Sequence, residues 1–263
     1  MSFRSRIPSP LLAVIVAVGL AIVAYGGGNV AALAGVLLLD LIGVELTLRR
    51  SFILSVVSIQ LLFFTGVSIA YLRSREWSLS DIGLKAPSLE GWIVLAAGFV
   101  AMIVLWLAAS ITTFFLGQRF GIEPDQQMIF EIARQDPMIF LLLGALSLLI
   151  VGPAEELLFR GVIQTRLRET FGAGVAIALA TAIFALIHIA GYESLVGGLL
   201  GVSVLFVVGL VLALAYEYTG NLIVVALMHG LFNATQAALG YIGVRFGDPD
   251  AMSLLAQGLL AVS

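Results

Sequence analysis

The feature that most constrains this chain is a succession of apolar runs, each close to the length that crosses a bilayer. A helix rises 1.5 Å per residue and the hydrocarbon core is about 30 Å thick, so roughly 20 mostly apolar residues suffice. Such runs fall near residues 9–25, 29–47, 51–72, 91–116, 137–153, 172–190, 196–216 and 221–240. In hydrocarbon every backbone N–H and C=O must be paired within the chain, and a helix does this locally. The pattern predicts an all-α, polytopic membrane helix bundle of about eight transmembrane helices. We read residues 1–263 as a single integral membrane domain. Composition agrees, with 61% apolar residues, 11% charged and a mean hydropathy of +1.12. A soluble domain carries roughly 25% charged residues, so in water this chain would expose broad apolar patches.

The N-terminal run follows Arg4 and Arg6, as a signal peptide would, but no polar mature domain succeeds it. It is read as a retained span, with Gly26-Gly27-Gly28 as a turn that pairs it with the second run in a hairpin. A polar stretch at 73–90 is flanked by Trp77 and Trp92, whose indoles suit the headgroup layer. A second, at 117–136, holds six charges and is expected to carry a short helix on the membrane. The third, 154–171, continues an apolar helix without a break. Positive charges divide too evenly between the two sides to set orientation. With a net charge of −3 there is no basic footprint, so membrane lipid is the expected partner and nucleic acid is not. Absence of cysteine removes disulfides, thiol catalysis and cysteine-type zinc sites.

Ionisable residues at membrane depth each cost about 2.5–3.5 kcal/mol on insertion scales, so they ask for a reason. Three groups stand out. In Glu155-Glu156-Leu-Leu-Phe-Arg160-Gly161, Glu156 and Arg160 share a helix face and can pair, while Glu155 points about 100° away. The bland reading is a helix leaving the membrane with solvated charges. Phe184-Ala-Leu-Ile-His188 lies inside an apolar run, and His229-Gly-Leu-Phe-Asn233 puts two polar groups on one face of the last span. A lone buried histidine is more often a hydrogen-bonded core residue than a catalyst. Here, however, the chain's only 2 histidines fall in separate helices beyond a double glutamate.

Peptide hydrolysis needs an activated water, a group to return the proton and donors for the oxyanion. A glutamate and a histidine converging on one water supply the first two; a histidine and an asparagine amide supply two donors. Zinc is the other possibility, with Glu155, His188 and His229 as three ligands and water in the fourth position, although no His-Glu-x-x-His is present. Both schemes use the same residues, and cofactors are therefore none or zinc.

The ordered set Glu-Glu-x-x-x-Arg at 155–160, Phe-x-x-x-His at 184–188 and His-x-x-x-Asn at 229–233 resembles the CPBP intramembrane proteases. This is the CAAX prenyl protease type II and abortive-infection family. Phe159-Arg160-Gly161, Tyr218-Thr-Gly-Asn221 and Leu79-Ser-Asp-Ile-Gly-Leu84 add similar texture, and the family-like catalytic core covers about 135–240. The resemblance implies that Glu155 activates water with His188, and that His229 and Asn233 stabilise the oxyanion. Glu156 with Arg160 would support the site. Members are called metalloproteases, while a metal-free glutamate mechanism is also argued; the metal-free roles are preferred here. The implied partner is a peptide or protein substrate, prenylated in the family's best-known activity.

Other polar residues take the bland reading. Asp40, Glu45 and Gln60 are expected to be helix-packing or interface groups, and Glu217 a solvated helix end. Gln236, one turn beyond Asn233, is read first as packing and second as lining the cavity. Competing functions are a proton-coupled transporter, disfavoured because no internal repeat is found, and a non-catalytic immunity-type membrane protein, disfavoured by the complete motif set. A multi-pass protein of a prokaryotic cell membrane is expected rather than one of the endoplasmic reticulum.

Overall fold

A computed structural model describes residues 9–122, 125 and 127–247. Arg4 and Arg6 of the sequence reading lie outside the described residues. Among the described residues eight helices follow in order: α1 (Ser9–Leu41), α2 (Leu48–Ser74), α3 (Leu89–Phe120), α4 (Met128–Gln135), α5 (Met138–Arg168), α6 (Ala173–Ile187), α7 (Leu195–Thr219) and α8 (Leu222–Phe246). Among the described residues there is no strand, and seven helices are long and apolar enough to span a membrane. The protein is an integral, multi-pass, all-helical membrane protein.

The expected hairpin at the N-terminus is a single helix. The two runs at 9–25 and 29–47 join through Gly26-Gly27-Gly28 into one 33-residue helix. Inside a bilayer an unbonded turn would strand backbone polar groups, which outweighs glycine's modest helix propensity. The glycines serve packing instead. A Cβ on Gly28 would sit 2.7 Å from the Ile59 Cα of α2, and one on Gly27 would enter the Phe63 ring. They extend a buried ridge of Ala13, Ala17, Ala21, Ala24 and Ala32, the small-residue face that membrane helices use for close approach. Joining these runs moves the start of α1 to the side of the 75–88 loop, away from Arg49 and Arg50.

The loop after α2 docks against the α7–α8 turn. The carbonyl of Gly83 (φ +75°) accepts from the Leu222 N–H at 2.9 Å, and Tyr216 Oη donates to the Ile82 carbonyl at 2.9 Å. Any Cβ on Gly83 would strike the Gly220 carbonyl, so glycine is required there on two grounds. Asn221 caps α8 by accepting from the Ile223 and Val224 N–H groups, and its amide donates to the Lys85 carbonyl at 3.1 Å. The 117–136 segment contains the expected short helix, α4. It is pinned by two hydrogen bonds from Arg49 to Asp136, at 2.5 and 2.9 Å, which hold the Asp136 carboxyl below the usual carboxylate range.

Helix α5 runs unbroken through Glu155, as expected, but not as a regular helix. Wide turns occupy Ser147–Val151 and Leu157–Gln164, leaving Gly152–Glu156 as a short regular stretch between them. Pro153 accounts for the first, because its ring would collide with the carbonyl four residues earlier in a tight helix. The second offsets Arg160 from the position a regular helix would give it. A third wide turn, Val57–Phe64, lies in α2 and carries Gln60. Such turns concentrate at functional sites.

Candidate active site

Close helix packing brings the polar residues together. Helices α5 and α8 meet through glycine on both sides. A Cβ on Gly152 would lie 2.8 Å from the Ala226 carbonyl oxygen, and one on Gly230 would lie 2.9 Å from the Leu148 Cα. This approach sets His229, next to Gly230, against the double glutamate. His229 Nδ1 is 2.8 Å from Glu156 Oε1, and His229 Nε2 is 3.8 Å from Glu155 Oε2.

Glu156 and Arg160 are both fully buried, with Arg160 Nε 3.3 Å from Glu156 Oε2. Arg160 also donates through Nη2 to the Gly209 carbonyl of α7 at 3.1 Å and stacks over the Phe184 ring at 4.9 Å. Glu156 thus holds two groups, the arginine on its own helix and the histidine of α8. The pairing foreseen from sequence is present, and the His229 contact adds a positioning role that spacing alone did not reveal.

His188 sits at the junction of α6 and a single tight turn, His188–Gly191. Its Nδ1 is 2.7 Å from the Phe184 carbonyl, which can only accept, so Nδ1 carries the proton and Nε2 faces Glu155 Oε2 at 4.0 Å. Phe184 is the hub of the site. Its ring lies 4.9 Å from the His188 ring, 5.9 Å from that of His229 and 5.1 Å from that of Phe159. Gly209 permits this, since a Cβ there would press on Phe184 at 3.0 Å.

The remaining oxygen of Glu155 has a partner that the sequence reading missed. Gln60 Nε2 donates to Glu155 Oε1 at 2.7 Å. One carboxylate oxygen is thereby fixed by an amide while the other faces both histidines. The available signal was a lone glutamine in an apolar span, which spacing could not tie to a residue 95 positions away. Glu155, His188, His229, Asn233, Gln60 and Gln236 all line one cavity of about 450 Å³, whose other walls are mostly apolar. Asn233 makes no side-chain hydrogen bond among the described residues and is free to engage a ligand. Asp40 and Glu45 are exposed, away from the cavity, and Glu217 pairs with Arg168 at 2.9 Å.

Two polar atoms about 4 Å apart can share one water at about 2.8 Å from each, and Glu155 Oε2 has two such neighbours. Zinc asks for a tighter set. Ligands at about 2.0–2.2 Å in a tetrahedron lie roughly 3.3–3.6 Å from one another. The 3.8 and 4.0 Å spacings are wider, and among the described residues no three His, Cys, Asp or Glu side chains converge to hold a metal ion. The Nδ1 anchors at Phe184 and Glu156 would orient a metal-binding imidazole as well as a catalytic one.

Comparison with known proteins gives one family. Residues 137–235 match the family model described as Rce1-like, type II CAAX prenyl endopeptidase Rce1-like. The matched segment runs from the start of α5 to Thr235, and contains Glu155, Glu156, Arg160, His188, His229 and Asn233. No curated protein and no solved structure matches the chain.

Proposed function

We propose that this chain is an intramembrane endopeptidase, a reading supported by the match of residues 137–235 to the Rce1-like type II CAAX prenyl endopeptidase family model. Its active site comprises Glu155, His188, His229 and Asn233. The observation that carries the reading is the placement of both histidine Nε2 atoms against one oxygen of a buried glutamate, in a cavity that also holds Asn233.

In this scheme Glu155 Oε2 takes a proton from a water, and the water oxygen bonds to the scissile carbonyl carbon. The carbonyl oxygen becomes an oxyanion facing His229 and Asn233. Because Nδ1–H of His229 is engaged by Glu156, its Nε2 can donate only as imidazolium, whose charge the Glu156 carboxylate balances. Asn233 supplies the second donor through its amide. His188 faces the cavity with its side chain 23% exposed, and relays the proton to the departing amine nitrogen as the C–N bond breaks. No step passes through a metal. The apolar walls, among them Phe52, Val56, Ile59, Leu143 and Leu205, suit a substrate carrying a lipid-like group beside the cleaved bond.

Cleavage by the purified, detergent-solubilised protein tests the proposal, with prenylated and unprenylated peptides compared in parallel. Wild type should hydrolyse at least one peptide, and Glu155→Gln, which preserves shape but removes the base, should not. Hydrolysis by Glu155→Gln at the wild-type rate would remove Glu155 from the chemistry.

A further inference from the structure

An extended peptide carries its own main-chain donors and acceptors into a site, and each needs a partner once water is displaced. Soluble proteins often supply a sheet edge for this. Here the described residues contain no strand, and the surrounding helices spend their backbone groups on themselves. Along the spans, pairing must therefore come from side chains. Neutral amides suit the task, since each offers a donor and an acceptor with no charge to desolvate.

Three amides line the cavity without a role in the scheme above; Gln127 already donates to Tyr192 Oη at 3.3 Å, which leaves Gln60 and Gln236. Both lie outside the residues matched to the family. The orientation of Gln60 is fixed by Glu155, because an ionised carboxylate can only accept; its Oε1 is then buried with no hydrogen-bond partner. Gln236 is 6% exposed, and its Nε2 is likewise buried and unpartnered. Buried polar atoms are rarely left unpaired, and here an acceptor and a donor are orphaned around one cavity. On α8, His229, Asn233 and Gln236 follow at i, i+4 and i+7, a single stripe. It covers about 10 Å, the length of about three residues of extended chain.

We propose that Gln60 and Gln236 form a main-chain clamp that binds the substrate as an extended strand along α8. Gln236 Nε2 donates to a peptide carbonyl two or three residues from the cleaved bond, and Gln60 Oε1 accepts a main-chain N–H nearer to it. The clamp rests on the endopeptidase reading and adds the conformation of the bound peptide. It reads backbone rather than side chains, so it tolerates varied sequences. Gln60 is in addition a positioning residue for Glu155.

The test uses the full-length protein in detergent micelles and a set of cleaved peptides in which single amides near the scissile bond are replaced by esters, which lack the N–H. Gln236→Leu should raise KM about ten-fold with kcat within about two-fold, the loss of one buried hydrogen bond. Its unfolding temperature should be unchanged or higher, because an orphaned amide is replaced by an apolar group; a structural role would lower it. Gln60→Leu should lower kcat as well, since Glu155 loses its amide. One ester position should raise KM about ten-fold in wild type and add nothing in Gln60→Leu, the signature of a direct pair. Unchanged KM in Gln236→Leu, or ester penalties that simply add in Gln60→Leu, would overturn the clamp alone. If wild type cleaves no peptide, the endopeptidase reading fails and the clamp falls with it.

Discussion

Replacing Gly230 by alanine perturbs the site without touching any group that meets substrate. The added Cβ would lie 2.9 Å from both the Leu148 Cα and the Ser147 carbonyl oxygen. These are backbone atoms of α5 and cannot swing away. Ordinary carbon contacts sit at about 3.5–4.0 Å, so α5 and α8 must part by roughly 0.6–1 Å. His229 adjoins Gly230 and would move with it. A hydrogen bond of 2.8 Å to Glu156 would stretch to about 3.4–3.8 Å, outside useful range. Overpacking of this kind costs about 1–3 kcal/mol, and alanine's better helix propensity returns about 0.8–1.0. Net destabilisation should therefore be modest, up to about 2 kcal/mol. Activity should suffer more, since a misplacement of about 1 Å can lower turnover about 10²-fold. The assay pairs thermal unfolding in detergent with peptide cleavage, with Gly174→Ala as control because no atom lies within 4 Å of its Cβ position. If Gly230→Ala cleaves as fast as Gly174→Ala, the His229–Glu156 contact does not set the rate.

Three further outcomes follow from the same geometry. Arg160→Ala leaves Glu156 buried without its arginine partner, at a cost of about 3–5 kcal/mol, so folded yield should fall together with activity. Asn233→Ala should keep a wild-type yield and lose about 10²–10³ in turnover even at saturating substrate; size-exclusion profiles and kcat distinguish the two. Thorough chelation should leave cleavage intact, with no stoichiometric metal by elemental analysis. Loss of cleavage on chelation and recovery with zinc would instead make Glu155, His188 and His229 ligands.

Much of the fold was legible because a bilayer simplifies the problem. Long apolar runs have one solution in lipid, so α2, α3 and α5 to α8 appear close to where hydropathy alone puts them. The same rule defeated the expected hairpin at Gly26-Gly27-Gly28, where turn chemistry valid in water was applied inside hydrocarbon. At the site, Glu156 and Arg160 could be paired from their spacing, because both lie on one helix. His229, His188 and Glu155 could be named from their expense at membrane depth, but not placed at 3.8–4.0 Å, which depends on how α5, α6 and α8 pack. Gln60 was read as a packing group because nothing local distinguishes a glutamine that fills an interface from one that holds a distant carboxylate. The wide turns around Gly152–Glu156 leave only one local mark, Pro153, and could not have been located from periodicity.

The continuous first helix has a consequence for the membrane itself. At 1.5 Å per residue, the 33 residues of α1 and the 32 of α3 extend about 50 Å, against a hydrocarbon thickness of about 30 Å. The 19 residues from Ala173 to Gly191, which end at His188 and its turn, reach only about 28 Å. Long helices must tilt, protrude or thicken the lipid around them, whereas short ones draw it thinner. The mismatch is therefore uneven, large at α1 and α3 and close to zero at the helix that carries His188. Acyl-chain length then becomes a mechanical input to the cavity, because a change in the tilt of α1 would shift the alanine ridge on which α2 and α6 rest.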